Sequence, residues 1–129
     1  MNRVVVSLFA LLLAAPLPVL PQSAQSVAIA VAGSGNTTSS SVAAQLGRSP
    51  YFLLYDAKGN FLSAESNPYK DSGQAGIPAV DFLAAKGVKV VVAEGFGGRI
   101  ADVMKEKGIQ PVEFKGVAKD AAKKAAQVK

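Results

Sequence analysis

The feature that most constrains the fold is a strand, a glycine-rich turn and a helix that follow one another over Val88–Ile109. Residues 88–93 are a β-branched run of the kind found in strands buried on both faces of a parallel sheet. Three glycines fall within residues 94–98, and apolar residues then recur at helical spacing over residues 99–107. The pattern predicts a βα unit, in which the chain leaves the carboxyl end of a strand and enters the N-terminus of a helix.

The glycine turn in this unit is a candidate anion-binding element. Backbone N–H groups at a helix N-terminus are available to an anion, and glycine lets a ligand approach the backbone closely. Arg99 stands in the first helical turn, where its charge opposes the helix dipole, and this placement is explained if the side chain faces an anion. The turn lacks the lysine–hydroxyl pair of a P-loop and the spacing of a dinucleotide-binding motif. A tight connection without a ligand is therefore the alternative interpretation.

The other predicted elements place this unit in a larger sheet. Strands are predicted at residues 27–32, 51–56, 61–66 and 111–114, helices at residues 77–86 and 117–128, a single helical turn at residues 42–46 and a mobile loop at residues 33–41. Strands that alternate with helices in the second half imply right-handed crossovers and a parallel core, and the hairpin at residues 51–66 adds antiparallel strands. We therefore predict an α/β fold with a mixed five-stranded sheet and flanking helices. The last helix has a small apolar face, which predicts weak docking.

The N-terminal segment has the pattern of a secretory signal. A basic start at Arg3 precedes an apolar run, Val4–Ala15, which is too short to span a bilayer. Prolines follow, and Ala24–Ser26 has the small-x-small pattern of a cleavage site. We predict a signal peptide at residues 1–26, a mature domain at residues 27–129, and a periplasmic or secreted protein without membrane attachment after cleavage. A retained membrane anchor is the alternative.

The composition excludes several classes of enzyme and of metal site. The chain has no cysteine and no histidine, so disulfides, thiolate or histidine metal sites and Ser-His triads are unavailable. Acidic residues fall one per strand end, whereas a two-metal nuclease needs clustered carboxylates, and we predict no enzyme. The net charge of +5 favours anionic partners. The lysine-rich C-terminal stretch has no interleaved aromatic residues, and we predict no nucleic-acid binding.

Six short motifs occur in order after residue 26. They are Leu46–Asp56, Asn67-Pro68, Gln74–Gly76, Leu83–Val88, Gly95–Gly97 and Lys105–Ile109. In this order and spacing the chain resembles the dinitrogenase iron–molybdenum cofactor biosynthesis family over nearly the whole predicted mature domain. The resemblance implies an RNase H-like fold in a small domain that carries or stores an anionic metal–sulfur cluster.

The resemblance also implies where the cluster binds: at the loop after the first strand, the loop before the first long helix and the glycine turn. Carried over by position, the cofactor-binding residues are Arg48, Ser72, Gly73, Gln74, Gly76, Gly95, Phe96, Gly97, Gly98 and Arg99. The chain departs from the family pattern: Leu46 stands where a phenylalanine is usual, no histidine precedes Ala75, and Gly98-Arg99 replaces a Pro-Asn pair. Because these loops contain no histidine, cysteine or methionine, we expect no protein ligand to a soft metal.

Two hypotheses of function follow. The first is an exported binding or carrier protein for an anionic molybdenum- or iron–sulfur cluster, or for an oxyanion, held by backbone amides with Arg48 and Arg99. The second is a protein-interaction module of the same fold that has lost the cofactor and works through a protein partner.

Overall fold

A five-stranded sheet organises the part of the chain that the computed structural model describes, residues 26–73 and 75–128. The strands are β1 (Ile29–Gly33), β2 (Tyr51–Tyr55), β3 (Phe61–Ser66), β4 (Val90–Ala93) and β5 (Gln110–Glu113), and the helices are α1 (Gly76–Ala85), α2 (Gly98–Glu106) and α3 (Ala118–Ala126). The predicted signal peptide lies, except for Ser26, outside the described residues. None of the helices in the described ranges is long and apolar enough to cross a bilayer.

The sheet is mixed, with the strand order β3-β2-β1-β4-β5. β1, β4 and β5 are parallel neighbours, with Ile29 opposite Val90 and Val92 opposite Val112. β2 and β3 add the antiparallel hairpin. The predicted α/β architecture is confirmed. Its consequence for function is that the carboxyl ends of the three parallel strands meet at one edge, where open α/β sheets bind ligands.

Helices cover both faces of the sheet, and β1 shows why. Ala30 and Ala32 belong to a core shared with α1 and α2, whereas Ile29 and Val31 belong to a core shared with α3. Strand residues alternate between faces, so a strand that is apolar at every position has to be covered on both sides. The sheet is therefore the middle layer of three.

The last helix docks closely, and the prediction of weak docking is wrong. Ala118, Ala121, Ala122 and Ala125 are each at most 2% exposed, and all face the sheet. Alanine side chains let the helix approach the strands closely, so a narrow apolar face is enough to seal this layer. Gly59 in the hairpin turn also lies against the helix, since a Cβ there would be 3.4 Å from the Ala122 carbonyl oxygen.

Residues 42–46 do not form the predicted helical turn. Val42 bridges Gly33 and Gln45 bridges Gly95, so the segment runs in extended form between the ends of β1 and β4. The Ala43 N–H donates to the Ala32 carbonyl at 2.7 Å. Sheet hydrogen bonds at the carboxyl edge override the weak helical pattern, and they fix the loop that leads to Arg48.

Candidate functional site

A cavity of about 580 Å³ opens at the carboxyl edge of the sheet, where α1 and α2 begin. Six residues of the predicted site line it, namely Arg48, Gly73, Gly76, Gly95, Phe96 and Gly97. The remaining lining residues are Ala44, Gln45, Leu46, Gly47, Ala75 and Ile100. The structure therefore brings the three predicted segments together around one opening.

The other predicted site residues lie beside the cavity or outside the description. Ser72, Gly98 and Arg99 do not line the cavity. Arg99 is exposed in the first turn of α2 and forms no ion pair with a described residue. Gln74 falls outside the described residues. Gly98 and Arg99 directly follow the lining residue Gly97 in the first turn of α2.

The N-terminus of α2 is open toward the cavity. Its N-cap, Gly97, has extended backbone angles and supplies no side-chain cap. Among the described residues none accepts a hydrogen bond from the N–H groups of Gly98, Arg99 or Ile100. A Cβ at Gly97 or Gly98 would meet no atom within 4 Å. The bend is therefore open space bordered by helix N–H groups, which is the arrangement that binds anions at helix N-termini.

Two glycines bring the walls of the cavity into contact. A Cβ at Gly47 would lie 2.6 Å from the backbone nitrogen of Gly76, so only glycine lets the loop of residues 46–48 rest on the start of α1. A Cβ at Gly76 would lie 2.5 Å from Cδ1 of Ile100, so the starts of α1 and α2 also touch. The two helix N-termini consequently border the same opening.

Asn67 fixes the two loops to each other, and the sequence analysis did not include it in the site. Its Nδ2 donates to the carbonyl oxygens of Gly47 and Ser49, at 2.9 Å each. Its Oδ1 accepts from the Tyr69 N–H at 2.8 Å, and the residue is 3% exposed. The available signal in the sequence is the Asn67-Pro68 pair, which is one of the six family motifs but carries no predicted role in the site.

Arg48 carries the only charge among the described lining residues. Its Nη1 donates to the carbonyl oxygens of Lys70 at 3.0 Å and of Ser72 at 2.8 Å. No carboxylate lies among the described lining residues. The mouth of the cavity is thus positive, but the guanidinium already has partners within the protein.

The perturbed titratable groups lie away from the cavity. Burial raises the pKa of Tyr55 to about 12, and this side chain faces α3. The pKa of Asp56 is lowered because its carboxylate accepts hydrogen bonds from the N–H groups of Asn60 and Lys58 in the hairpin turn. Both groups lie in the hairpin, and neither is among the residues that line the cavity.

The lining can bind a ligand but offers no soft donor to a metal. The described lining residues include no histidine, cysteine, methionine or carboxylate. The described ranges also hold no group of three histidine, cysteine or carboxylate side chains that could bind a metal ion. What the cavity offers is backbone N–H groups, one guanidinium, and apolar surface from Leu46, Phe96 and Ile100. Such a lining suits a compact anion whose outer atoms accept weak hydrogen bonds.

Comparison with solved structures supports the fold. The chain resembles the NMR structure of a proposed NifB protein from Thermotoga, with 26% identity, a TM-score of 0.63, and coverage of 74% of this chain and 83% of that one. It is also similar to the apo form of the orange protein from Desulfovibrio gigas, with 23% identity, a TM-score of 0.68, and coverage of 78% and 86%. The crystal structure of PH0822 matches with 24% identity, a TM-score of 0.61, and coverage of 76% and 87%.

The family comparison covers almost all of the described chain. No functionally curated protein matches the chain. The family profile described as "Dinitrogenase iron-molybdenum cofactor" matches residues 25–128. This range includes the five strands and three helices described above and all three segments around the cavity. The chain is a member of the dinitrogenase iron–molybdenum cofactor family.

Proposed function

We propose that the cavity at the start of α2 binds an anionic metal–sulfur cluster of the molybdenum- or iron–sulfur type, and that the protein is an exported carrier of this cargo. The observation that carries the proposal is the uncapped N-terminus of α2 opening into a cavity of about 580 Å³. This size lies within the range of small-ligand sites. Membership of the cofactor family supports the class of ligand.

The residues around the cavity fit such a cluster without coordinating it. Where sulfide completes the coordination of the metals, as in a thiomolybdate, the protein needs to supply only N–H donors, positive charge and apolar contact. Gly97 and Gly98 leave the N–H groups accessible, Arg48 lies at the mouth of the cavity, and Arg99 forms no ion pair with a described residue and has its charge available to the ligand. An oxyanion such as molybdate is the smaller and more strongly hydrated candidate, and we expect it to bind more weakly because the lining is largely apolar.

Export and the absence of catalysis are parts of the same proposal. The signal-like pattern of residues 1–26 supports a location in the periplasm or outside the cell. A lining without carboxylate, histidine or cysteine supports carriage of a ligand rather than its chemical conversion.

The test is a titration of the purified protein with tetrathiomolybdate, followed by absorbance and calorimetry. We expect saturable binding at one site per chain. Gly97→Leu is the matched variant, because Gly97 lines the cavity and its Cβ position is free, so a larger side chain fills the opening without stressing the ligand-free fold. Glu106→Leu, at the exposed far end of α2, controls for the added apolar surface.

Binding that is lost in Gly97→Leu and kept in Glu106→Leu would support the proposal. Absence of saturable binding in the wild-type protein, or equal binding by all three proteins, would overturn it. Equal unfolding midpoints of the wild type and Gly97→Leu would show that the ligand-free fold is intact.

A protein-interaction module is the second candidate, and the absence of soft metal donors from the described lining favours it. Its expected signature is a stoichiometric complex with one protein from the native compartment, formed without bound metal. Bound molybdenum or iron in the protein isolated from that compartment would count against it.

A further inference from the structure

A short rim segment, residues 70–73, stands between two fixed points at the mouth of the cavity. On one side Asn67 is buried and bound to the neighbouring loop, and the Tyr69 ring contacts Phe82 with ring centroids 6.1 Å apart. On the other side Ala75 is 4% exposed and lies under Gly47. The rim segment itself is largely exposed, so little packing holds it.

Arg48 provides the main attachment of this rim segment. Within the described residues, the Ser72 N–H donates to the Tyr69 carbonyl, and the Lys70 ammonium pairs with Asp71, its own neighbour. The two other hydrogen bonds of the segment both come from Nη1 of Arg48, to Lys70 O and Ser72 O. One guanidinium nitrogen thus ties two peptide units of the rim to the loop that follows β1.

We propose that Arg48 is a positioning residue, which promotes ligand binding by holding the rim segment and its two carbonyl oxygens rather than by acting as the ligand's counter-charge. This inference rests on the proposed function of the cavity as an anion site. Carbonyl oxygens carry partial negative charge and repel an anion. The carbonyl oxygens of Lys70 and Ser72 accept hydrogen bonds from Arg48, so they point to a cation that offsets their partial charge beside the lining residue Gly73.

Arg99, in the first turn of α2, contrasts with Arg48. It is exposed and forms no ion pair or side-chain hydrogen bond with a described residue, so its charge remains available to a ligand. A residue that acts only through its charge tolerates exchange for lysine. A residue that holds a segment through a terminal guanidinium nitrogen, as Arg48 does through Nη1, does not tolerate this exchange, because a lysine side chain ends one bond short of that nitrogen.

The experiment compares Arg48→Lys, Arg48→Met, Arg99→Lys and Arg99→Met with the wild type by two measurements. The first is amide hydrogen exchange of the ligand-free protein, read at Ser72 and at strand residues of β1 and β4. The second is the tetrathiomolybdate affinity as a function of salt concentration. Because the first needs no ligand, it tests the role of Arg48 even if the probe fails to bind.

For Arg48→Lys and Arg48→Met alike we expect exchange at Ser72 to be at least about fivefold faster, with the strand amides unchanged. We expect both variants to bind the probe about tenfold more weakly, with the salt dependence of the wild type retained. For Arg99→Met we expect weaker binding with a shallower salt dependence, and for Arg99→Lys a smaller loss of affinity because the charge is kept.

Two results would overturn the inference. One is unchanged exchange at Ser72 in Arg48→Met. The other is wild-type affinity in Arg48→Lys together with loss in Arg48→Met, which would identify Arg48 as a counter-charge. If the wild-type protein shows no saturable binding, the proposed function is overturned, while the exchange at Ser72 separately decides whether Arg48 holds the rim segment.

Discussion

The N-termini of α2 and α3 follow neighbouring parallel strands at the same edge of the sheet, yet one is open and the other is closed. At α3 the N–H groups of Ala118 and Lys119 donate to the carbonyl oxygens of Ser40 and Thr38, at 2.8 and 2.9 Å. At α2 no described residue accepts from the corresponding N–H groups, and Gly97 and Gly98 border open space. Equivalent positions in the topology thus differ in whether the chain itself satisfies the helix N–H groups.

The difference comes from the path of the long loop after β1. Residues 34–41 turn toward α3, where the Ser34 and Ser41 backbones pair at 2.9 Å and the Val42 N–H donates to Gly116 O at 2.8 Å. Ala43 packs on the side of α1 and α2, and from Ala44 onward the chain lines the cavity. One loop therefore seals the helix start on one face of the sheet and builds a wall of the cavity on the other.

The largest effect on stability is expected at Gly47, where two walls of the cavity touch. Its Cβ position lies 2.6 and 2.7 Å from backbone atoms of Gly76 and Ala75, which cannot move aside as a flexible side chain would. We expect Gly47→Ala to lower the free energy of unfolding by about 3 kcal/mol, measured by urea denaturation. Gly73→Ala is the control, because its Cβ would meet nothing within 4 Å, and we expect a change within about 0.5 kcal/mol. Equal midpoints for the two variants would contradict the close contact of the cavity walls.

Overpacking under α3 is the next largest effect. Ala121 is fully buried against the sheet, and the close approach of α3 leaves no room for a larger side chain. We expect Ala121→Leu to cost about 2 kcal/mol of stability, while tetrathiomolybdate affinity changes less than twofold because this face is remote from the cavity. Lys123→Leu, at an exposed position of the same helix, controls for helix propensity. A thermal denaturation profile equal to that of the wild type would mean that α3 docks loosely.

Removal of the buried Tyr55 hydroxyl, on the α3 side of the sheet, is expected to increase stability. Tyr55 is 1% exposed, and its hydroxyl has no hydrogen-bond partner among the described residues. We expect Tyr55→Phe to stabilise the protein by about 1 kcal/mol at neutral pH, because it removes an unsatisfied polar group and keeps the ring contact with Phe61.

The pH dependence of this variant follows from the direction of the Tyr55 shift. The pKa is raised to about 12, so the native state holds the proton that the unfolded chain releases near pH 10. The wild type therefore loses stability as the pH rises from 10 toward 12, whereas Tyr55→Phe lacks this loss. If the difference between the denaturation midpoints of the two proteins stays constant from pH 10 to pH 12, the raised pKa of Tyr55 is contradicted.

The smallest expected effect compares the two helix starts directly. Threonine at an N-cap supplies an acceptor for helix N–H groups, so Gly97→Thr should stabilise α2 by a few tenths of a kcal/mol and compete with an anionic ligand. Val117→Thr, at the N-cap of α3, should bring no such gain because carbonyl groups already occupy the N–H groups there. Calorimetric melting of both variants, with and without tetrathiomolybdate, measures the difference. A larger gain in stability from Val117→Thr than from Gly97→Thr would contradict the conclusion that α2 has the open N-terminus and α3 the closed one.

The sequence predicted the sheet well because its strongest patterns are local. The β-branched run that contains β4, the hairpin turn at residues 57–60 and the glycines that follow α1 and α2 each act through neighbouring residues. The docking of α3 was missed because its strength depends on how closely alanine lets two layers approach, which periodicity does not report.

The sequence predicted which segments form the candidate site but not the contacts between them. The family motifs located Arg48, Gly76 and Gly97, and the structure places all three around one cavity. Nothing local to Asn67 indicates its two bonds to a loop nearly twenty residues away, or that Arg48 reaches the carbonyls of Lys70 and Ser72. Such contacts join residues distant in sequence and follow only from the folded arrangement of the loops at the edge of the sheet.

The most direct test of the anion site at the start of α2 is a two-dimensional amide NMR titration of the purified protein with tetrathiomolybdate. If the open start of α2 is the anion site, the largest shifts will appear at the amides of Gly97, Gly98 and Arg99, with those of Ala118 and Lys119 unchanged. Shifts centred on the start of α3, or spread over the lysines without saturation, would contradict the account.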